Sequence, residues 1–270
     1  MMDLGLNQKV VVVTGGASGI GLATARLFAS EGANLFLWDL SDNVLSLAKD
    51  LINEFGVKVV GLKVDVTNIV SVNEALKSTL AVFSRVDHLV HCAAIGSGKF
   101  GFPFTNLEPA DWPRVLEVNI MGMVNIAHAI APVMMGQKDG SMVFISSVAG
   151  QMGSQTDPPY SASKAANINF SQCLAKDLAS YQVRVNTVCP GMVQTPLNKS
   201  VWKAWCDQAK PADKLGYEEW SLRKIKAIVP LGKWQTVEAI ADMIVFLSSR
   251  RAIHVTGQTI NVDGGFVMHS

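Results

Sequence analysis

Tyr160 and Lys164 stand four residues apart in Tyr-Ser-Ala-Ser-Lys, a spacing that puts both on one face at the start of a helix. A phenol titrates near ~10 and is a poor proton carrier at neutral pH. An ammonium beside it favours the phenolate and lowers that value, and a phenol so tuned exchanges a proton with an alcohol or carbonyl oxygen. Thirteen residues before Tyr160, Ser147 closes the apolar segment Phe144-Ile-Ser-Ser-Val. Its hydroxyl can bond the same oxygen, although Ser146 and Ser147 serve equally well as a simple cap. Asn119 lies within a helical stretch, where asparagine is not favoured. It either breaks the helical pattern and holds a water or is a buried, satisfied amide. Tyr-x-x-x-Lys alone recurs by chance, usually as an exposed helical pair, so the elements around these residues decide its meaning.

The chain is organised around Val10 to Gly21, where four valines run into a turn with glycines at 15, 16, 19 and 21 and then into a helix from about Leu22 to Ser30. Valines apolar on both faces suit a strand covered by helices on each side. Glycines let the backbone lie against a ligand, and free N–H groups at a helix start favour a pyrophosphate. The spacing is G-x-x-x-G-x-G, and without Gly-Lys-Ser/Thr it is no P-loop. Alternation continues: strands at Asn34–Trp38, Lys58–Val64, Val86–Cys92, Ser141–Ser146, Val183–Val188 and Thr259–Val262, and helices from a Ser41 cap to Phe55, at Ile69–Phe83, about 109–135, Ala162–Ser180 and Val237–Ser248. A loop at 96–108 and an irregular, tryptophan-bearing insert at Leu197–Val229 complete the chain. Repeated βα units predict an α/β fold, a doubly wound sheet of about seven parallel strands with helices on both faces. Ligands on such sheets bind beyond the carboxyl ends of the strands.

Asp39 ends the second strand, 18 residues past Gly21. A carboxylate there accepts both hydroxyls of an adenosine ribose and repels a 2′-phosphate. Leu40 follows it and the glycine turn carries no basic residue, so NAD is expected rather than NADP; otherwise Asp39 caps or solvates a loop. Asp65-Val66, ending the third strand, meets an adenine edge or forms an ordinary turn.

Composition narrows the classes. A hydrophobic share of 49% supplies a core, and a formal net charge of +1 gives no electrostatic case for nucleic acid or an anionic membrane. No uninterrupted apolar run approaches the ~18 residues of a membrane helix, and no secretory pattern opens the chain. Cys92, Cys173, Cys189 and Cys206 lack metal-like spacing and read as reduced thiols. A cytoplasmic protein without a metal is expected.

Taken in order, T14-G-G-A-S-G-I-G21, D65-V66, N119, S147 with Y160-S-A-S-K164, P190-G191 followed by T195, and G257-Q-T-I-N-V-D-G-G265 resemble the short-chain dehydrogenase/reductase family over essentially the whole chain. The resemblance implies one Rossmann-type domain over 1–270, with a substrate-lid insert at about 196–230. It implies hydride transfer between a nicotinamide and a carbon bearing oxygen, with Asn119, Ser147, Tyr160 and Lys164 as a catalytic tetrad. Ser147 would polarise the oxygen and Tyr160 would be the acid–base. Lys164 would lower the tyrosine pKa and bind ribose hydroxyls, and Asn119 would hold a relay water. Gly15, Ser18, Gly19, Ile20, Gly21, Asp39, Asp65, Val66, Cys92, Ala93, Pro190 and Gly191 would line the cofactor site, and Val193 and Thr195 would contact the carboxamide. A homotetramer is implied too. One departure stands out: after the fourth strand the family usually shows Asn-Asn-Ala-Gly, and here it is His91-Cys92-Ala93-Ala94. Cys92 and Ala93 are expected to reach the cofactor through backbone, and His91 to be a packed strand residue before a base.

Specificity is expected in Gly96–Glu108, in Gln151–Pro159 and in the insert, where Trp202 and Trp205 either line the pocket or anchor the lid. The insert resembles that of family members acting on polyols, sugars and small diols. With Gln151 and Gln155 nearby, a small polar secondary alcohol is the first expectation, a steroid or other bulky apolar alcohol the second, and a 3-ketoacyl thioester reductase the third. A catalytically silent nucleotide-binding regulator is the alternative of a different class, opposed by the intact tetrad.

Overall fold

β1 (Val10–Thr14) is buried at every residue because its neighbours alternate between two cores. Val12 joins one apolar cluster and Val11 and Val13 the other, and Phe36 and Leu37 split likewise in β2 (Asn34–Asp39). In the computed structural model, which describes residues 3–154 and 156–268, these strands sit inside a seven-stranded parallel sheet. The others are β3 (Val59–Lys63), β4 (His88–His91), β5 (Gly140–Ile145), β6 (Val183–Pro190) and β7 (Thr259–Val262), in the order β3-β2-β1-β4-β5-β6-β7. Strand order reverses between β1 and β4, which opens a crevice at their carboxyl ends. The doubly wound α/β expectation holds.

α1 (Gly19–Ser30), α2 (Val44–Phe55) and α9 (Val237–Ser248) cover one face; α3 (Ile69–Phe83), α5 (Gly122–Gln137) and α6 (Pro158–Leu178) cover the other. The remaining helices are α4 (Pro113–Leu116), α7 (Pro196–Gln208) and α8 (Tyr217–Ile228).

Most expected boundaries move by a residue or two, and four differences matter. α1 starts at Gly19 rather than Leu22, since the Leu22 N–H already bonds the Ser18 carbonyl. Asn43 rather than Ser41 precedes α2; Ser41 accepts the Asn43 N–H one step earlier. α6 starts at Pro158 rather than Ala162. Asp157 accepts the Tyr160 N–H, and prolines in a first turn have no N–H to lose. Tyr160 therefore lies inside the first turn. The helix expected at 109–135 is segmented: α4 passes into a π-helical turn at Glu117–Met121 and then into α5. Averaged over its most apolar window this stretch, 109–137, is apolar enough to cross a membrane, which a count of uninterrupted apolar residues overlooks; 56% of that window is buried in the protein.

Candidate active site

Beyond the carboxyl ends of β1, β4, β5 and β6 lies a cleft of about 700 Å³. It is lined by all the residues expected to hold the cofactor and by Ser147, Tyr160 and Lys164.

Its phosphate end is built by backbone. Gly15 has φ +66°, and a Cβ there would lie 2.8 Å from the Ala93 nitrogen. A Cβ on Gly21 would collide with the Gly15 carbonyl oxygen. The two glycines thus let turn, helix and the β4 end come together. Ser18 precedes α1 without capping it through its side chain, which leaves first-turn N–H groups for an anion. Asp39 is fixed at both oxygens: Oδ2 accepts the Ala17 N–H and Oδ1 the Ser41 N–H, each at 2.9 Å. Leu40 beside it is exposed and apolar. Asp65 accepts the Thr67 N–H at 2.9 Å and hydroxyl at 2.7 Å, so it is a turn aspartate that also borders the cleft. These bonds hold its carboxyl below the usual range. The cradle fits a dinucleotide.

At the other end Ser147 follows β5 and accepts the Ala149 N–H at 3.1 Å, and its hydroxyl lies near enough to the Tyr160 phenol to favour the phenolate, so it both caps a turn and belongs to the constellation. The Lys164 ammonium lies 5.5 Å from the centre of the Tyr160 ring and donates to the Ile145 carbonyl at 2.7 Å. Burial lowers Lys164 to about 8. It also holds the Tyr160 phenol above its ordinary value, while the Ser147 hydroxyl nearby acts the other way. Loss of hydration dominates, and the ammonium is engaged by a carbonyl.

Asn119 stands behind the cleft, fully buried in the π-helical turn. It breaks the helix, as one expectation had it, and its amide is satisfied, as the other had it. Oδ1 accepts the Ile95 N–H, and Nδ2 donates to the Ile95 carbonyl and the Ser163 hydroxyl, each at 2.9 Å. It thereby pins the chain leaving β4 to α6.

His91 is a packed strand residue. It is buried, bonds Thr14 through Nδ1 at 2.8 Å and meets Phe144 edge-on. Burial lowers its pKa to about 3, so it is neutral. Cys92 is pushed up to about 12 by the same cause and is an unreactive thiol.

The substrate region departs most from expectation. Gln151 does not line the cleft, because its Nε2 reaches Asn261 on β7 at 2.8 Å. Gln155 lies outside the described residues. Trp202 and Trp205 anchor the insert: Trp202 donates to the Leu215 carbonyl at 3.0 Å and meets Tyr217 edge-on, and Trp205 packs on Trp220. Leu197, Asn198, Ser200 and Val201 of α7 border the cleft instead, and Arg114 joins it at the Asp65 end. Asn198 carried a signal, a polar residue three positions past Thr195 at a helix start; Arg114 carried none.

The chain matches the family model described as enoyl-(acyl carrier protein) reductase over residues 15–267. It is 36% identical over 264 residues to the 3-oxoacyl-[acyl-carrier-protein] reductase FabG of Thermotoga maritima, covering 97% of this chain and 99% of that one. To the oxidoreductase UcpA of Salmonella typhimurium it is 33% identical over 261 residues, or 96% and 95% of the two chains. It is similar to the crystal structure of L-sorbose reductase from Gluconobacter frateurii complexed with NADPH and L-sorbose: TM-score 0.89, 30% identity, all of both chains covered. Levodione reductase gives a TM-score of 0.87 at 26% identity over 96% of this chain and 97% of that one.

Proposed function

The chain belongs to the short-chain dehydrogenase/reductase family and is an oxidoreductase of alcohol and keto groups that uses a nicotinamide cofactor; within that frame we propose that it interconverts a small polar secondary alcohol and its ketone with NAD. The observation that carries this reading is the gathering of Ser147, Tyr160 and Lys164, with the Lys164 ammonium 5.5 Å from the centre of the phenol ring, at one end of a cleft whose other end presents Asp39.

Gly15, Ser18, Gly19, Ile20 and Gly21 would hold the pyrophosphate. Asp39 would hold the adenosine ribose, Asp65 and Val66 the adenine, and Cys92, Ala93, Pro190, Gly191, Val193 and Thr195 the nicotinamide half. When bound, the cofactor supplies the hydride acceptor or donor. Tyr160 Oη takes or gives the proton on the substrate oxygen, and Ser147 Oγ donates a hydrogen bond to that oxygen and orients it. The Lys164 ammonium stabilises developing phenolate and would bond the nicotinamide ribose. Asn119 fixes the loop after β4 and α6 against each other, and its segment would hold the relay water. The α7–α8 insert forms the lid of a single catalytic domain. We also propose a homotetramer, as the family resemblance implies, in the cytoplasm, as the composition and reduced thiols suggest.

A small substrate is favoured because a cleft of about 700 Å³ is filled largely by a dinucleotide. The L-sorbose reductase likeness over the whole chain points to a polyhydroxy ketone or alcohol. Reduction of a 3-oxoacyl thioester is the second reading, supported by the 36% identical Thermotoga relative. The test is nicotinamide absorbance with NAD or NADP and a panel of polyols, sugars, diols, hydroxy acids and steroid alcohols, and with NADH or NADPH and a 3-ketoacyl thioester. Turnover of one polar class with NAD supports the proposal; turnover confined to the thioester with NADPH overturns it.

A further inference from the structure

Asn198 occupies the first turn of α7, where its backbone N–H bonds the Thr195 hydroxyl at 3.2 Å and its side chain borders the cleft. Its Oδ1 accepts the Tyr217 hydroxyl at 3.0 Å. With the phenol donating, the carbonyl end of the amide faces Tyr217 and the NH2 end is left for another acceptor. The Nδ2 end, with two donors, has no partner among the described residues. Tyr217 cannot easily swing aside. It stacks between Trp220 and Trp234, meets Trp202 edge-on, and carries the Lys199 ammonium 5.8 Å from its ring centre. The aromatic cluster that holds the insert together therefore also sets one amide at the cleft wall.

The neighbouring polar groups are engaged otherwise. Thr195 caps α7, and the Ser200 hydroxyl donates to the Leu197 carbonyl at 2.7 Å. Ser147 and Tyr160 serve the reacting oxygen. Across the opening, Leu197 lies beside Gly96, and Asn106 joins the facing loop to Gln208 of α7 at 2.9 Å. Asn198 thus stands next to Leu197, where α7 approaches that loop at Gly96, offering donors with no acceptor among the described residues.

We infer that Asn198, oriented by Tyr217, is a specificity-determining residue that donates a hydrogen bond to an oxygen on the substrate's chain beyond the reacting carbon, which selects polyhydroxy substrates over simple alcohols. Resting on the proposed alcohol–ketone chemistry, it names the feature of the substrate that the lid reads. Tyr217 is the positioning residue. It never meets the substrate and acts by holding the amide.

The experiment compares kcat/KM for a hexitol and for 2-butanol in wild type, Asn198→Leu and Tyr217→Phe, alongside NADH affinity and melting temperature. The hexitol-to-2-butanol ratio falls about 10-fold in Asn198→Leu, the scale of one lost hydrogen bond, and by a smaller factor in Tyr217→Phe. NADH affinity stays within about 2-fold. Equal losses on both substrates, an unchanged ratio, or a loss that appears in NADH affinity overturns the inference. A wild-type protein that turns over no polyhydroxy substrate overturns the functional reading, and the selectivity inference with it, before any variant is compared.

Discussion

Replacing Asp39 by Asn asks what sets the cofactor preference. The side chain keeps its shape and one carbonyl oxygen able to accept a backbone N–H, as Oδ1 and Oδ2 now do from Ser41 and Ala17. It loses the negative charge. A ribose 2′-phosphate carries about −1.5 to −2 charges. At ~4 Å from a carboxylate in water-like surroundings, each charge pair costs ~1 kcal/mol, so the native aspartate opposes the phosphate by about 2 kcal/mol. Losing a charged acceptor also weakens the grip on the unphosphorylated ribose, by ~1 kcal/mol or more. Both effects push the same way. The preference for NADH over NADPH should move toward NADPH by roughly 2–3 kcal/mol, or roughly 30- to 150-fold. The assay is fluorescence titration of both reduced cofactors, with melting temperature as a check on folding. A ratio that moves less than about 3-fold, or a wild type that already binds NADPH more tightly, refutes the assignment. The second outcome is a real contest, because the L-sorbose reductase similar to this chain was solved with NADPH.

Tyr160→Phe keeps the ring against Lys164 and removes the proton carrier, so turnover should fall by about 10² or more with NADH affinity little changed; residual activity near wild type would remove Tyr160 from the chemistry. The buried histidines give a pH prediction. His88 and His91 are lowered by burial to about 4 and about 3 from the ordinary 6.5. Below 6.5 the unfolded chain binds protons that the folded one refuses, so stability is full above that value and falls as the pH drops toward about 4. Each ring should account for about 2 kcal/mol of loss by about pH 5. His91→Asn should therefore narrow the gap between urea unfolding free energies at about pH 7.5 and about pH 5 by that amount; an unchanged gap would mean His91 takes up its proton while folded.

Much of the fold and site was legible because the deciding forces act within a few residues. A valine run, a glycine turn and a helix start follow one another from Val10 to Ser30, and local propensity and backbone freedom fix that succession. Asp39 was placed by the end of its strand, and Tyr160 with Lys164 by the helical repeat. Other features depend on which elements meet, and no local pattern carries that. Strand order put β4 beside β1, and so brought Ala93 against Gly15 and made the cleft. Gln151 reached for Asn261, more than a hundred residues away, and left the substrate region. Trp202 and Trp205 turned to α8, because packing aromatic rings against each other removes more apolar surface from water than lining an open cleft. Tertiary burial likewise sets the direction of the Tyr160 shift. The sequence by itself determined which groups the protein has for chemistry and roughly where each element begins; only the tertiary structure decided which way each side chain turns and how much water it keeps, since both follow from neighbours distant in the chain.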